Sequence, residues 1–370
     1  MSPTRQGDPR SKSWPINKIL VLSAVVVWVL LMAWSSDMRH KIAPPAVGTY
    51  QHFKRNLACR DGYSDDGYIV RGDGPTDISW IPYNETLTLA DKLVNSADIP
   101  VDVLQHAMPD YYQYLERAVN ESYVPEIEFA RNRFILVVGD RQVATGPMII
   151  AICMDFVCMR KSMDPSSLNL TLVHWHLYGM AESGDDWFLG NVSRDPRPVN
   201  FEDRITTLFA PLLARIGRNP DLILLNSSFW DMAFIAAKAR YRKWVVELRA
   251  SPRTLTWTEL AWHRARLVHL VRVMQDRFDN PPMMFRTAHL RRDSDKSSNV
   301  EVFQINESIK ALMRHLDVPL FPWAEFIRGE WSYTDHQHMA FISQPTYLFG
   351  NMMFYYLQKA VTATKQACSI

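Results

Sequence analysis

The sequence predicts an α/β protein: a three-layer domain with a parallel sheet between helices, preceded by one N-terminal transmembrane helix. Short, continuous apolar runs of the kind found in buried parallel strands alternate with long helical stretches. Such alternation is typical of a parallel sheet covered on both faces. A separate uncharged apolar run stands near the N-terminus.

Residues 19–36 form this apolar run, whose only polar residues are three serines. Its length is about the minimum for a spanning helix. Arg5, Arg10, Lys12 and Lys18 precede it, and basic flanks stay on the cytoplasmic side. We therefore expect a cytoplasmic tail (1–18), a transmembrane signal anchor (19–36) and a lumenal body. A cleaved signal peptide is the alternative, although no small-residue cleavage site follows the run.

Glycosylation sequons favour the same compartment, because Asn-x-Ser/Thr is modified only in the lumen. They begin at Asn84, Asn120, Asn169, Asn191, Asn226 and Asn306. We expect all of them except Asn226 to carry glycans, since Asn226 stands at a predicted strand end. The protein is thus expected in the endoplasmic reticulum or Golgi membrane, with the cell surface as an alternative.

Composition indicates the boundaries of the stem and the C-terminal tail, and it gives no reason to expect a nucleic-acid partner. Residues 37–58 are polar and contain Ala43-Pro44-Pro45, which favours a stem, and 364–370 are left as a C-terminal tail. A net charge of +2 gives no reason to expect nucleic-acid binding. The even cysteine count in an oxidising compartment predicts disulfides, with the pairing open, among Cys59, Cys153, Cys158 and Cys368.

Within the domain (59–363), each predicted element follows from its pattern. Apolar runs predict strands at 134–138, 168–177, 222–225 and 283–287. Longer stretches predict helices at 148–152, 229–248, 255–278, 300–315 and 347–363. Ligands of such sheets bind beyond the carboxyl ends of the strands. The segments expected there are 139–141, 226–231, 287–289 and the late loop 333–338.

Three of these segments, in chain order, resemble the blocks of the SGNH/GDSL hydrolase superfamily, in its PC-esterase branch that includes the trichome-birefringence-like glycan O-acetyltransferases. The blocks are Phe134-Ile-Leu-Val-Val-Gly-Asp140, Pro220-Asp-Leu-Ile-Leu-Leu-Asn-Ser-Ser-Phe-Trp-Asp231 and Asp335-His-Gln-His338. Phe285-Arg-Thr-Ala-His289 resembles the branch's fourth-strand segment. The resemblance covers roughly residues 59–357 and implies nucleophilic acyl transfer on glycans.

By this resemblance His338 matches the catalytic base and Asp335 the carboxylate that orients it. Asp140 matches the residue before the nucleophile, but Arg141 stands where the family has Ser. An arginine is always protonated and cannot attack a carbonyl, although it can clamp a carboxylate or phosphate. Asp140 and Arg141 are then expected to form the floor of the site.

The remaining candidates are binding residues. Ser228 replaces the Gly of the family's oxyanion block, although its backbone N–H can still donate. Asn226, Trp230, Asp231 and His289 stand at the same predicted strand ends. Asn226 can equally be a strand-terminating residue that satisfies turn backbone groups.

Two further patterns contain residues that could bind a metal ion. His174 and His176 share one face of a strand, but a third ligand would be needed. Asp293-Ser-Asp295 has the form that many glycosyltransferases use, yet it lies among Arg291, Arg292 and Lys296 as a solvated charge cluster. We expect no metal and no cofactor.

The leading hypothesis is therefore a membrane-anchored, SGNH-like lumenal protein that resembles glycan acyl esterases or acetyltransferases but is catalytically degenerate. One alternative is a non-catalytic module that binds a glycan or an acidic ligand. The second alternative is a lumenal glycosyltransferase.

Overall fold

A computed structural model of the chain describes residues 49–59, 61–83, 107–121, 123–140, 157–161, 168–185, 198–242, 254–292, 299–329, 333–334, 338–340 and 342–362. The described helices are α1 (Thr49–Cys59), α2 (Tyr111–Asn120), α3 (Phe201–Asp203), α4 (Ala210–Ile216), α5 (Phe229–Arg242), α6 (Trp257–Phe278), α7 (Asn299–His315), α8 (Trp323–Phe326) and α9 (Gln344–Val361). A π-helical turn, Arg204–Phe209, joins α3 to α4, and a 3-10 turn spans Glu128–Ala130.

The described strands form two sheets. They are β1 (Gly67–Arg71), β2 (Ile78–Pro82), β3 (Phe134–Gly139), β4 (Val157–Lys161), β5 (Thr171–His176), β6 (Leu222–Asn226), β7 (Met283–Arg286) and β8 (Leu320–Phe321). Strands β1 and β2 make an antiparallel pair, and the main sheet has the order β4-β5-β3-β6-β7-β8.

The predicted parallel sheet is confirmed for β5, β3, β6, β7 and β8, which pair in parallel. It is wrong for β4, which pairs antiparallel with β5 at the sheet edge. An edge strand is buried less than a central one and needs no continuous apolar run, so the sequence Val-Cys-Met-Arg-Lys was not recognised.

Both faces of the sheet are covered, as predicted, because successive strand residues point to opposite sides. Ile135 and Val137 pack into a core shared with α1, α2 and α9. Their neighbours Phe134, Leu136 and Val138 pack into a second core with α5, α6 and α7. The four predicted long helices that begin near 229, 255, 300 and 347 appear as α5, α6, α7 and α9, whose first residues differ from the predicted ones by at most three positions.

The stem predicted for 37–58 is wrong over its last ten residues. Residues 49–58 belong to α1, whose Phe53 is fully buried. Asn56 donates to the backbone oxygens of Lys359 (2.8 Å) and Thr362 (3.0 Å). The apolar side chains of Tyr50, Phe53 and Leu57 recur at helical spacing and pack against the core, so this segment is an amphipathic helix of the body.

The predicted anchor (19–36), its cytoplasmic tail and the C-terminal tail lie outside the described residues. Within the described part of the chain, none of the helices combines the length and the apolar composition that a membrane crossing needs. The predicted helix at 148–152 also lies outside the described residues.

The burial and hydrogen bonds of Asn306 disfavour its predicted glycosylation in the folded domain. Its side chain is only 8% exposed, and its amide accepts from Ala288 N (2.9 Å) and donates to Ala288 O (2.7 Å). Asn120 and Asn169 are exposed, whereas Asn84 and Asn191 lie outside the described residues. Cys153 and Cys368 also lie outside them, as do the side chains of Cys59 and Cys158.

Candidate functional site

The candidate site lies at the topological switch point of the sheet, where successive parallel strands are added first on one side of β3 and then on the other. Strand β3 has β5 on one side and β6 on the other, and the chain then continues outward through β7 and β8. Such a switch point leaves a crevice beyond the carboxyl ends of β3 and β6. Gly139 permits their close approach, because any Cβ there would overlap the backbone oxygen of Asn226.

Asp140 follows β3 and is buried, with only 2% of its surface exposed. Its Oδ2 accepts from the backbone N–H of Phe229 (3.4 Å), at the start of α5. With its amide oriented to match its neighbours, Asn226 donates to Asp140 Oδ1 (2.8 Å) and accepts from Arg286 Nη2 (2.8 Å). Asp140 thus ties together the carboxyl ends of β3, β6 and β7.

Arg286 completes this network with a buried positive charge. Its Nη2 lies 3.8 Å from Asp140 Oδ1, and its guanidinium stacks 5.3 Å above the ring of Trp323. Burial lowers the pKa of Arg286 to about 10, against the opposing effect of Asp140. Its Nε and Nη1 have no hydrogen-bond partner among the described residues. The Arg286 side chain was not singled out in the sequence.

Asp231 holds a second part of the crevice. Its Oδ1 accepts from the backbone N–H of Met180 (2.6 Å), its Oδ2 accepts from Ser227 Oγ, and His263 Nε2 lies 3.4 Å from Oδ2. Gly179 has φ +72° and packs directly against Asp231. The turn after β5 is therefore fixed to the start of α5 by a carboxylate that is itself fully buried.

Trp230 belongs to an aromatic cluster beside this turn. Its ring lies 5.2 Å from that of Tyr178 and 6.4 Å from that of His176. The guanidinium of Arg204 lies 5.0 Å from the ring of Tyr178. Trp230 is partly exposed, so this cluster offers an aromatic face to solvent.

His289 follows β7 and lies in another ring cluster on the other side of β6. Its ring lies 5.3 Å from Phe229, 5.5 Å from Trp323 and 6.0 Å from Tyr333. Tyr333 belongs to the same late loop as His338 and donates its hydroxyl to Leu290 O. The late loop therefore packs beside the segment that follows β7.

The structure does not locate every predicted catalytic residue. His338 is partly buried, and its backbone oxygen accepts from Thr334 N (2.8 Å) and Thr334 Oγ1 (3.1 Å). Asp335 and Arg141 lie outside the described residues. Ser228 is fully buried, with no hydrogen-bond partner recorded for its Oγ among the described residues.

The pair of His174 and His176 gains no third metal ligand in the described part of the chain. The rings of His174 and His176 lie 6.0 Å apart, and no group of three His, Cys, Asp or Glu side chains there could hold a metal ion. Asp293 and Asp295 lie outside the described residues.

Comparisons with known proteins give weak structural likenesses. A GDSL-like lipase from Parabacteroides merdae matches over 64% of this chain and 99% of its own, with 11% identity and a TM-score of 0.36. A carbohydrate esterase family 2 enzyme from Myceliophthora fergusii matches over 62% and 67%, with 12% identity and a TM-score of 0.36. An acetyl xylan esterase matches over 60% and 98%, with 13% identity and a TM-score of 0.32.

Identities and TM-scores this low do not establish a shared activity. No protein-family model matches the chain, and no curated protein matches it.

Proposed function

We propose that the chain is a type II membrane protein whose lumenal domain is SGNH-like and resembles the PC-esterase branch. Its crevice receives an acylated glycan, and its acyl-transfer chemistry is degenerate. The observation that carries the proposal is the buried network of Asp140, Asn226 and Arg286 at the switch point, in a chain whose residue 141 is Arg rather than Ser.

The described groups support binding better than attack on an ester. Asp140 is 2% exposed, and its oxygens already accept from Phe229 N and face Arg286. A carboxylate engaged in this way supports the floor of the crevice and is not free to act as a nucleophile. The protonated side chain of Arg141 cannot replace the hydroxyl.

The acyl-transfer roles that remain come from the resemblance. His338 is the base and Asp335 its orienting carboxylate, while the backbone N–H of Ser228 faces the developing oxyanion. Binding of the sugar falls to partly exposed aromatic rings such as Trp230, because sugars present apolar C–H faces that stack on aromatic rings.

The catalytic part of the proposal is tested by acetyl ester hydrolysis with the purified full-length protein in detergent. We expect slow hydrolysis that falls at least tenfold in His338→Ala. Equal rates in the two proteins would refute any catalytic role of His338. The variant Arg141→Ser tests whether the serine nucleophile was lost recently. A large gain in hydrolysis in this variant would support a degenerate esterase site.

A non-catalytic binding module is the second candidate, favoured by the full engagement of Asp140 and by the aromatic cluster at Trp230. It predicts that an acetylated oligosaccharide binds the wild-type protein and His338→Ala equally, with no hydrolysis by either. Trp230→Ala should weaken this binding severalfold. Unchanged affinity in Trp230→Ala would exclude the aromatic cluster as the sugar-binding face.

The anchor and topology belong to the same proposal. Treatment of sealed microsomes with protease should remove only the short tail before residue 19 and leave a protected, glycosylated body. Digestion of the body in sealed microsomes would refute the type II orientation.

A further inference from the structure

A large cavity lies at the edge of the sheet and is separate from the crevice. It has a volume of about 1310 Å³ and is walled by α1, by the turn before β1 and by the chain that runs from α7 through β8. Strand β8 is three positions from β3 in the sheet, and none of the site residues described above lines this cavity. Small-molecule pockets measure roughly 300–1,000 Å³, so this one has room for several sugar residues.

Aromatic rings form one wall and the rim of this cavity. The rings of Trp80 and Phe326 are stacked with centroids 4.0 Å apart. Tyr83 stands at the rim with 45% of its surface exposed, and its ring lies 5.6 Å from that of Tyr68. The exposed ring of Tyr83 presents a flat apolar face together with a hydroxyl group, which suits the C–H faces and hydroxyls of sugars.

Carboxylates also line the cavity. The described acidic residues there are Asp61, Asp65, Asp66, Asp317 and Glu325. Three of them are already engaged: Asp61 accepts from Tyr356 Oη (3.1 Å), Asp317 pairs with Lys54, and Glu325 pairs with Lys310 (2.6 Å).

Asp65 and Asp66 are different. Both are exposed, and the structure records no partner for either carboxylate among the described residues. A carboxylate accepts hydrogen bonds from sugar hydroxyls and repels anions. The cavity therefore offers the exposed face of Tyr83 and the two carboxylates, and its five acidic residues outnumber its two basic ones, Lys54 and Arg314.

We propose that this cavity binds a neutral oligosaccharide and is a second carbohydrate site, independent of the crevice. The sugar stacks on Tyr83 and donates hydroxyl hydrogen bonds to Asp65 and Asp66. The charge of these two carboxylates disfavours acidic sugars. A protein with such a site holds a polysaccharide chain at a place distinct from the one where an acyl group would enter.

The test measures binding to the full-length protein by titration calorimetry, with cellohexaose, xylohexaose and hexagalacturonate as probes. At least one neutral probe should bind, and hexagalacturonate should bind at least tenfold more weakly. Tyr83→Ala should raise the Kd of the neutral probe at least fivefold, and the double variant Asp65→Asn/Asp66→Asn severalfold. Tyr123→Ala is the matched control, because Tyr123 is 60% exposed and does not line the cavity.

Two further outcomes separate this site from the crevice. His338→Ala should retain full binding of the neutral probe, whether or not it affects ester hydrolysis. If His338→Ala loses binding while Tyr83→Ala binds normally, the ligand binds in the crevice, and the proposal is overturned. Failure of both neutral probes to bind, or equal binding of hexagalacturonate, would also overturn it.

Discussion

Removal of the Asp140 carboxylate is the most direct test of the network at the switch point. In Asp140→Ala the guanidinium of Arg286, which is 1% exposed, loses the only carboxylate recorded near it in the described part of the chain. The backbone N–H of Phe229 loses its acceptor as well. Because Asp140 opposes the effect of burial, its removal lowers the pKa of Arg286 further.

The expected cost is large. Breaking a buried ion pair by removing one partner costs about 3–5 kcal/mol, because the other charge stays buried without compensation. Whole domains are stable by only about 5–15 kcal/mol, so the variant loses a large share of its stability. With a urea m-value of about 2–3 kcal/mol/M, the unfolding midpoint should fall by about 1–2 M.

Urea unfolding followed by tryptophan fluorescence measures this change, and two further variants interpret it. The double variant Asp140→Ala/Arg286→Met removes both charges and should regain about 2 kcal/mol relative to the single variant. Glu121→Ala is the control, since its pair with Arg117 is exposed and its loss should leave the unfolding midpoint nearly unchanged. A loss below about 1 kcal/mol in Asp140→Ala, or no recovery in the double variant, would refute the network as a stabilising unit.

Two other predictions concern single positions. Gly179→Ala should destabilise the domain by about 1–3 kcal/mol, since φ is +72° and the new Cβ would lie 2.6 Å from Asp231 Oδ1; an unchanged midpoint would contradict this. Asn306→Gln should cost about 1–3 kcal/mol because the backbone of Ala288 loses both partners. It should leave the mass removed by N-glycosidase unchanged, and a smaller loss of mass than in wild type would show that Asn306 is glycosylated after all.

The central strands could be predicted because burial on both faces imposes a continuous apolar run. The runs at 134–138 and 222–225 became β3 and β6 with only small changes of boundary. The shorter or peripheral elements could not be predicted in this way. Strand β4 lies at an edge, β8 has two residues, and the hairpin of β1 and β2 lies within a turn-rich segment.

The site was predicted in part for the same reason. Asp140 and Asn226 directly follow or end apolar runs, and the carboxyl ends of parallel strands meet at one edge of the sheet. Arg286 was missed because one basic residue at the end of β7 has no distinctive local pattern. His263 was missed because it stands in the middle of a long helix, where a histidine is unremarkable.

The sequence by itself determined the alternation of strands and helices, the polar residues at the strand ends and the presence of Arg at position 141. Local periodicity and residue chemistry are sufficient for these conclusions. Only the tertiary structure decided that β3 lies between β5 and β6, that Arg286 stands against Asp140, and that Asp231 holds the turn at Gly179. These relations join residues 37 to 146 positions apart, and they are set by strand order and by the need of buried charges for partners.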